Sequence, residues 1–344
     1  MTSIFLEPLD VLYLRGNKLF ADAGAHGEAL MPPWPSLAAG AIRSRLMAEG
    51  ASLEALADFR LTQFGLARHH DGELIERLWP LPADVIVSDE MGLGDATYLR
   101  PCPIPEGIAS SHALPQLPAL QTGKPGKPVG GLWLTGDGIA TWLAGQILNS
   151  KHFVRSGDLW QTDPRLGIAL DAMTRSAADG KIYTTETIAL KNGIGFIAAY
   201  EGTANKLPAE SLVRLGGDGR GAVARAVTPA PTAPDWARIE KEGRFRLMLT
   251  TPGLFSGGWR PNGVPATLIA ASVSRAETVS GWDLVINKPK PAQRVAPTGS
   301  VYWFENYEGD LAALKALTQS GFPMEVPARY AEGFGKLAIA PWAV

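Results

Sequence analysis

Two glycine-rich stretches carry the residues best suited to holding a phosphate. In RLGGDGRGAVAR, Gly216, Gly217, Gly219 and Gly221 allow positive φ and close backbone approach. Successive N–H groups there can form a concave anion site, and Arg214, Arg220 and Arg225 add guanidinium forks that match phosphate oxygens. In EGFGKL, Gly333 and Gly335 flank Phe334, and Lys336 follows. A ring beside a cation at a tight turn suits a base together with its phosphate. The same glycines equally suit an ordinary tight turn leading into a strand. A third stretch, KPKPAQRVAPTGSV, holds Lys288, Lys290 and Arg294 and no acid. Its prolines keep the chain extended, which suits either a solvated loop or an edge that follows a phosphodiester backbone.

Bond breaking has one weak candidate. Metal-independent RNA cleavage needs a general base beside a cation that meets the phosphorane charge. His26 lies in the loop DAGAHGE, with Arg15 and Lys18 close in sequence, although an ordinary loop histidine has the same surroundings. His69 and His70 are adjacent and would point to opposite faces of a strand. No metal-ligand spacing emerges. GGDGRGA does not fit G-x-x-x-x-G-K-[ST], and no placed dinucleotide fingerprint occurs. G-x-S-x-G is absent as well, so no Ser/His/Asp triad can be assigned. No metal and no cofactor are expected. Trp259, Trp282 and Trp303 (the last between Tyr302 and Phe304) suit either base stacking or a core.

Composition narrows the classes. The chain has 344 residues, enough for two domains, and a formal net charge of -2. A globally basic nucleic-acid protein is excluded, so any polyanion site must be a local patch. The 38 glycines and 27 prolines point to turns and long loops rather than a helical bundle. Cys102 stands alone, which excludes an intrachain disulfide framework and a Cys-rich zinc module. No apolar stretch reaches the ~18 residues of a membrane span, and MTSIFLEPLD does not read as a signal peptide. The expectation is a cytoplasmic protein in a reducing compartment.

The pattern of elements suggests a mixed α+β chain. IFL opens a strand, and Ala38, Ile42 and Leu46 share one face of a helix that ends at Gly50. KIYTTETIALKNGIGFIAAY contains two β-rich runs joined by Asn192-Gly193, a strong hairpin signal. LPAESLV predicts a short helix with Pro208 in its first turn. GRFRLMLTT alternates as a half-buried strand, TLIAASVSRAE and SVYWFE are further strands, and DLAALKALTQSG is a helix capped by Asp310 and ended by Gly321. VTPAPTAPD, residues 227–235, predicts a linker between an N-terminal domain (1–226) and a C-terminal one (236–344). Residues 101–131 are proline-dense, include GKPGKP, and predict an insertion. Both units close with a glycine-rich loop entering a strand. We therefore expect two tandem ferredoxin-like domains, each a split β-α-β unit, with loop insertions.

Eight segments in order make this more specific: LEPLDVLYLRG, WPSLAAGAIRS, RLGIALDAMTRSAADGKIYTTE, LGGDGR, TTPGLFSGGWRP, SGWDL, KPKPAQRVAPTGSVYWFE and EGFGKL. Together they resemble the family of the third Cmr subunit, from the type III-B CRISPR effector, within the RAMP superfamily. The resemblance implies two ferredoxin-like domains. It implies a non-catalytic, antiviral-defence role holding the 5′ handle of the CRISPR RNA, with the large palm-domain subunit and a backbone RAMP subunit as partners. It also gives Arg165, Arg175 and Lys181 a part in RNA contact, because this stretch precedes a hairpin that forms a thumb in related subunits. Two alternatives stand beside it: a RAMP-type processing endoribonuclease using His26, and a protein–protein adaptor that never meets RNA.

Overall fold

The computed structural model describes residues 1–16, 26–70, 75–88, 96–110, 112–121, 127–171, 173–283 and 287–343. Lys18 and most of GKPGKP lie outside the described residues. Two antiparallel sheets organise the chain. The first contains β1 (Thr2–Pro8), β2 (Arg60–His69), β3 (Ile194–Glu201) and β4 (Gly221–Ala226). Their spatial order is β4-β1-β3-β2, with Glu210–Arg214 added beside β4 and Ile75–Arg77 beside β2. The second contains β5 (Phe245–Leu249), β6 (Thr267–Ser272), β7 (Val301–Glu305) and β8 (Leu337–Ala340), in the order β8-β5-β7-β6. Counted within each half, the strands thus stand fourth, first, third, second in both.

Five α-helices accompany the sheets among the described residues: α1 (Ser36–Ala48), α2 (Gly136–Leu143), α3 (Trp236–Glu242), α4 (Leu311–Ser320) and α5 (Pro327–Ala331). Helix α1 crosses from β1 to β2 and buries Ala38, Ile42 and Leu46 against the first sheet. These positions recur every four residues, so they form one stripe. Helices α4 and α5 make the crossover from β7 to β8. The Asp310 carboxylate accepts from the Ala312 N–H at 2.8 Å, which fixes the start of α4. Each half therefore keeps one crossover helix and lacks the other.

Three local expectations change. LPAESLV is not a helix: Glu210–Arg214 is a strand in which Ser211 and Val213 point inward, and it pairs with β4. The competing hairpin, closed by the glycine loop 215–220, outweighs the helical start signal of Pro208. Asn192-Gly193 does mark a turn, with Gly193 at φ 74°. The runs on its two sides nevertheless enter different sheets: Ala177–Leu190 pairs with Trp160–Leu170, whereas β3 pairs with β1 and β2. Finally, β5 is buried on both faces rather than half-buried.

The reason for that double burial defines the molecule. One face of the second sheet, with Phe245, Leu247, Tyr302 and Ile339, packs beneath α4. The other face, with Met248, Trp303 and Ala338, packs on Trp79, Leu134 and Trp142, which lie far earlier in the chain. One core thus runs across the 227–235 segment. Arg246, at 0% exposure, forms an ion pair with the equally buried Asp84. It donates to the Trp142 carbonyl at 3.1 Å and lies 4.4 Å from that indole's centre. The indole N–H donates to Asp84 at 3.2 Å. Breaking one side of such a pair strands a buried charge at a cost of about 3–5 kcal/mol. We expect Asp84→Ala and Arg246→Met each to lower stability by roughly that amount in urea titrations. The double variant should lose clearly less than the sum of the two; strict additivity would exclude the coupling.

Candidate nucleic-acid interface

The longest element is a hairpin of Trp160–Leu170 and Ala177–Leu190, paired from Trp160/Leu190 at its foot to Leu170/Ala177 near its tip. At ~3.3 Å per residue the arm extends about 35 Å. Among the described residues, none of 161–187 joins a core cluster. Asp171 shapes the tip by accepting from the N–H groups of Met173 and Thr174 at 3.0 and 2.8 Å. The Thr174 and Met173 hydrogen bonds hold its carboxyl below the usual range. One face of the arm presents Leu166, Ile168, Leu170 and Ile182 to solvent, and Met173 at the tip is 92% exposed. Arg175 and Lys181 are exposed there and make no ion pair among the described residues.

At the foot of the arm, distant parts of the chain converge. Tyr13 forms a bridge with Gly217, and the Gly217 N–H donates to the Tyr13 carbonyl at 2.9 Å. Gly216 has φ 84°, and a Cβ there would meet that same carbonyl at 2.9 Å, so a side chain is excluded on both counts. Arg220 pairs with Asp10, with Asp218 3.6 Å away, and its guanidinium lies 5.4 Å from the Tyr13 ring centre. Gly219 completes the loop at φ 65°. Arg165 donates to Asp163 at 3.0 Å; that bond, with Tyr13 and Asp10 nearby, raises the guanidinium pKa. The structure therefore brings Arg165, Arg220 and the first glycine loop together around Tyr13. Tyr13, Asp10 and Glu186 were not singled out from the sequence. The buried Leu12 and Leu14 flanking Tyr13 are the signal that it faces outward.

His26 flanks the same foot. His26 and Gly27 run parallel to Thr184 and Thr185, and Thr185 stands opposite Arg165. The His26 imidazole is half exposed and lies 3.2 Å from a Glu186 carboxylate oxygen, whose other oxygen accepts from the Ala29 N–H. Among the described residues no cluster of three or more His, Cys, Asp or Glu could hold a metal.

The second glycine loop corrects an expectation. Phe334 is 0% exposed and packs with Val279 and Val295, with the Arg329 guanidinium 5.2 Å from its ring centre. Lys336 is 5% exposed: its ammonium donates to the Ser320 carbonyl at 2.5 Å and lies 5.0 Å from the Tyr330 ring centre. Gly335 has φ 72°, and a Cβ there would fall 1.9 Å from Met324 Cε. Gly333 also has a positive φ, 90°, against Leu61. The loop turns its ring and cation into the protein, so neither is presented to RNA. Lys290 is engaged too, 2.5 Å from Glu332, which in turn holds Arg329 at 2.9 Å. Lys288 and Arg294 of the same stretch are exposed and make no ion pair among the described residues. Of the aromatics, Tyr302, Trp303 and Phe304 are core, Trp259 is half-buried, and Trp282 is exposed.

The fold belongs with the chains of type III CRISPR effectors. A chain in "Cryo-EM structure of the Type III-B Cmr-beta bound to cognate target RNA and AMPPnP, state 1" aligns with TM-score 0.53 at 13% identity, covering 96% of this chain and 92% of that one. A second, "Cryo-EM structure of the Type III-B Cmr-beta bound to cognate target RNA", gives TM-score 0.49 at 13% identity over 96% and 93%. The first of these likenesses is one of fold. No curated protein matches. The sequence profile described as CRISPR-associated protein (Cas_Cmr3) matches residues 4–342, and the chain belongs to that family. Among the described residues no helix is long and apolar enough to cross a membrane.

Burial gives Lys336 a testable signature. Desolvation lowers its pKa from 10.5 to about 8, while the unfolded chain keeps the ordinary value. Between those values the unfolded state binds the extra proton, so this group's contribution to stability rises with pH from about 8 upward. Melting temperatures of the wild type and Lys336→Met, compared at pH 7 and pH 9.5, should shift in favour of the wild type at the higher pH. A pH-independent difference would place the ammonium in solvent.

Proposed function

We propose that this protein is a non-catalytic RNA-binding subunit of a type III-B CRISPR effector. It holds the 5′ handle of the CRISPR RNA, with the large palm-domain subunit and a backbone RAMP subunit as partners. Its two halves are read as ferredoxin-like units, a reading supported by the shared fourth-first-third-second strand order. The observation that carries the proposal is the long arm, with Arg175 and Lys181 near its tip, without an ion pair among the described residues, and Arg165, Arg220 and Tyr13 towards its foot. A polyanion laid along it meets free cations first. At the foot, phosphate can compete with Asp10 and Asp163 for partly exposed pairs that are individually weak. The apolar stripe offers contact to bases or sugars without sequence readout.

Affinity for handle RNA in the reconstituted complex should fall in Arg175→Ala/Lys181→Ala. The slope of log K against log salt should flatten by about 0.7 for each phosphate that the variant no longer neutralises. Crosslinks from the RNA should map to 160–190 and to 10–15. If no crosslink maps to this chain, the adaptor reading replaces this one.

His26 beside Glu186 supports a second reading, an endoribonuclease in which the carboxylate orients the imidazole. We expect the isolated protein to leave repeat RNA intact over long incubation. Products that disappear in His26→Ala would establish the second reading instead.

A further inference from the structure

A cavity of about 400 Å³ opens between residues of the 110–118 segment and the surroundings of the second sheet, with no residue of the arm among those lining it. It lies among the insertion strand Gln116–Leu120, the end of β6, the turn around Trp259 and the strand Gln293–Val295. Its size falls within the roughly 300–1,000 Å³ typical of small-molecule sites and exceeds what one protruding side chain needs. Its wall is mostly apolar, as such sites are.

The polar side chains among its lining residues are few, and apart from the Ser110 hydroxyl, which accepts from the His112 N–H at 3.2 Å, several have no partner among the described residues. Arg294, Gln116 and Ser274 all line it, and among the described residues none of their side chains has a hydrogen-bond or ionic partner. Several other cations, by contrast, are engaged: Arg220 with Asp10, Arg225 with Glu7 and Glu210, Lys290 with Glu332. The Trp259 indole is held in place on the same wall. The backbone carbonyl of Trp259 accepts from the Tyr302 hydroxyl at 2.7 Å, and His112 meets the indole edge-on with centroids 5.2 Å apart.

An indole surface, an amide edge and a free guanidinium around one cavity make a recognisable set. The indole stacks on a planar ring. The amide offers one donor and one acceptor, the pair that a Gln presents to adenine. The guanidinium takes a phosphate through its fork. We propose that this cavity binds one purine nucleotide unit, with its base against Trp259, its edge on Gln116 and its phosphate on Arg294. The unit is either a free nucleoside monophosphate or an unstacked nucleotide of bound RNA. The second source rests on the RNA-binding reading above; the first does not.

Calorimetric titration of the full chain with AMP, GMP, CMP and UMP tests the site, with melting temperatures confirming that each variant folds. AMP should bind most tightly, and Arg294→Ala should weaken it on the order of tenfold, the loss expected for one charge-assisted hydrogen bond. Gln116→Leu should remove the preference for AMP over UMP, and Trp259→Phe should weaken all four. Handle-RNA binding in the assembled complex separates the sources. Weakening there by Arg294→Ala identifies an RNA nucleotide as the occupant, and indifference there alongside the expected weakening of AMP binding identifies the free nucleotide. If folded wild type binds no mononucleotide, or if Arg294→Ala binds as wild type does, the proposal is overturned. Loss of RNA binding in Arg175→Ala/Lys181→Ala would still support the arm in that case, so the two readings fail separately.

Discussion

The buried pair of Arg246 and Asp84 governs how the chain is put together. Arg246 sits in the middle of the second sheet, and Asp84 precedes the strand Val85–Val87, 162 residues earlier. Neither side chain reaches water. Two dehydrated charges are tolerable only with good geometry and further hydrogen bonds, and Trp142 supplies them from both its indole N–H and its carbonyl. Tyr98 closes the remaining side 5.0 Å away, with its hydroxyl pushed up to about 12 by burial. Around this pair, Ser272 donates to the Ala83 carbonyl at 2.8 Å, and the Ala83 N–H donates to the Gly299 carbonyl at 2.8 Å. Residues 79–153 are thereby bound to a sheet built from residues 245–340. The apolar contacts there supply the gross stabilisation, and the ion pair selects the one register in which its charges meet.

A scaffold fixed in this way decides which charges can be offered outside. The chain is nearly neutral, with 32 basic and 34 acidic residues, yet its charges are not evenly engaged. Several on the sheets and tight loops are taken up internally: Arg68 and His70 with Glu76, Arg329 with Glu332, Arg225 with Glu7. Burial opposes ionisation of Glu76, but hydrogen bonds from the Gly136 N–H, His70 and Arg68 win and hold its carboxyl below the ordinary range. Arg175 and Lys181 on the arm and Lys288 and Arg294 on the 288–294 stretch are exposed and make no ion pair among the described residues, and the same holds for Lys206, Arg214, Arg260 and Arg275 elsewhere. Polyanion attraction in such a molecule is local and geometric rather than a property of net charge.

Much of the frame was legible in the sequence, because local rules and tertiary packing agreed there. Ala38, Ile42 and Leu46 gave α1 its face and Asp310 its partner helix a start, as periodicity and capping require. The failures share one cause. Pro208 and Asn192-Gly193 report what the backbone does locally, but not which strand lies alongside. LPAESLV became a strand because the glycine loop folds β4 back on it, and the runs flanking Asn192-Gly193 separated because β1 and β2 claimed β3. Phe334 and Lys336 show the same limit at the site. Glycines at 333 and 335 correctly marked a sharp turn, but a turn has two sides, and only the position of Met324, Tyr330 and Ser320 decides that the ring and ammonium face inward.

The two halves differ in which crossover helix each lacks, and that difference explains where the surface is irregular. In the first half no helix joins β3 to β4; a short strand hairpin closed by the glycine loop takes its place, and its loop meets Tyr13 at the foot of the arm. In the second half no helix joins β5 to β6. Residues 250–266 run there without regular structure, and Phe255, with Leu114 from the insertion, fills the core beside them. A helix presents a continuous row of side chains to a sheet, whereas loops from two parts of the chain leave gaps between their turns. The cavity beside Trp259 is such a gap, lined in part by the same two segments and otherwise by residues 271–276 and 294–296. An apolar gap lined by well-packed side chains closes or stays dry at a cost in stability. One that keeps a guanidinium, an amide and a hydroxyl unengaged on its wall is shaped for an occupant with a ring and an anion.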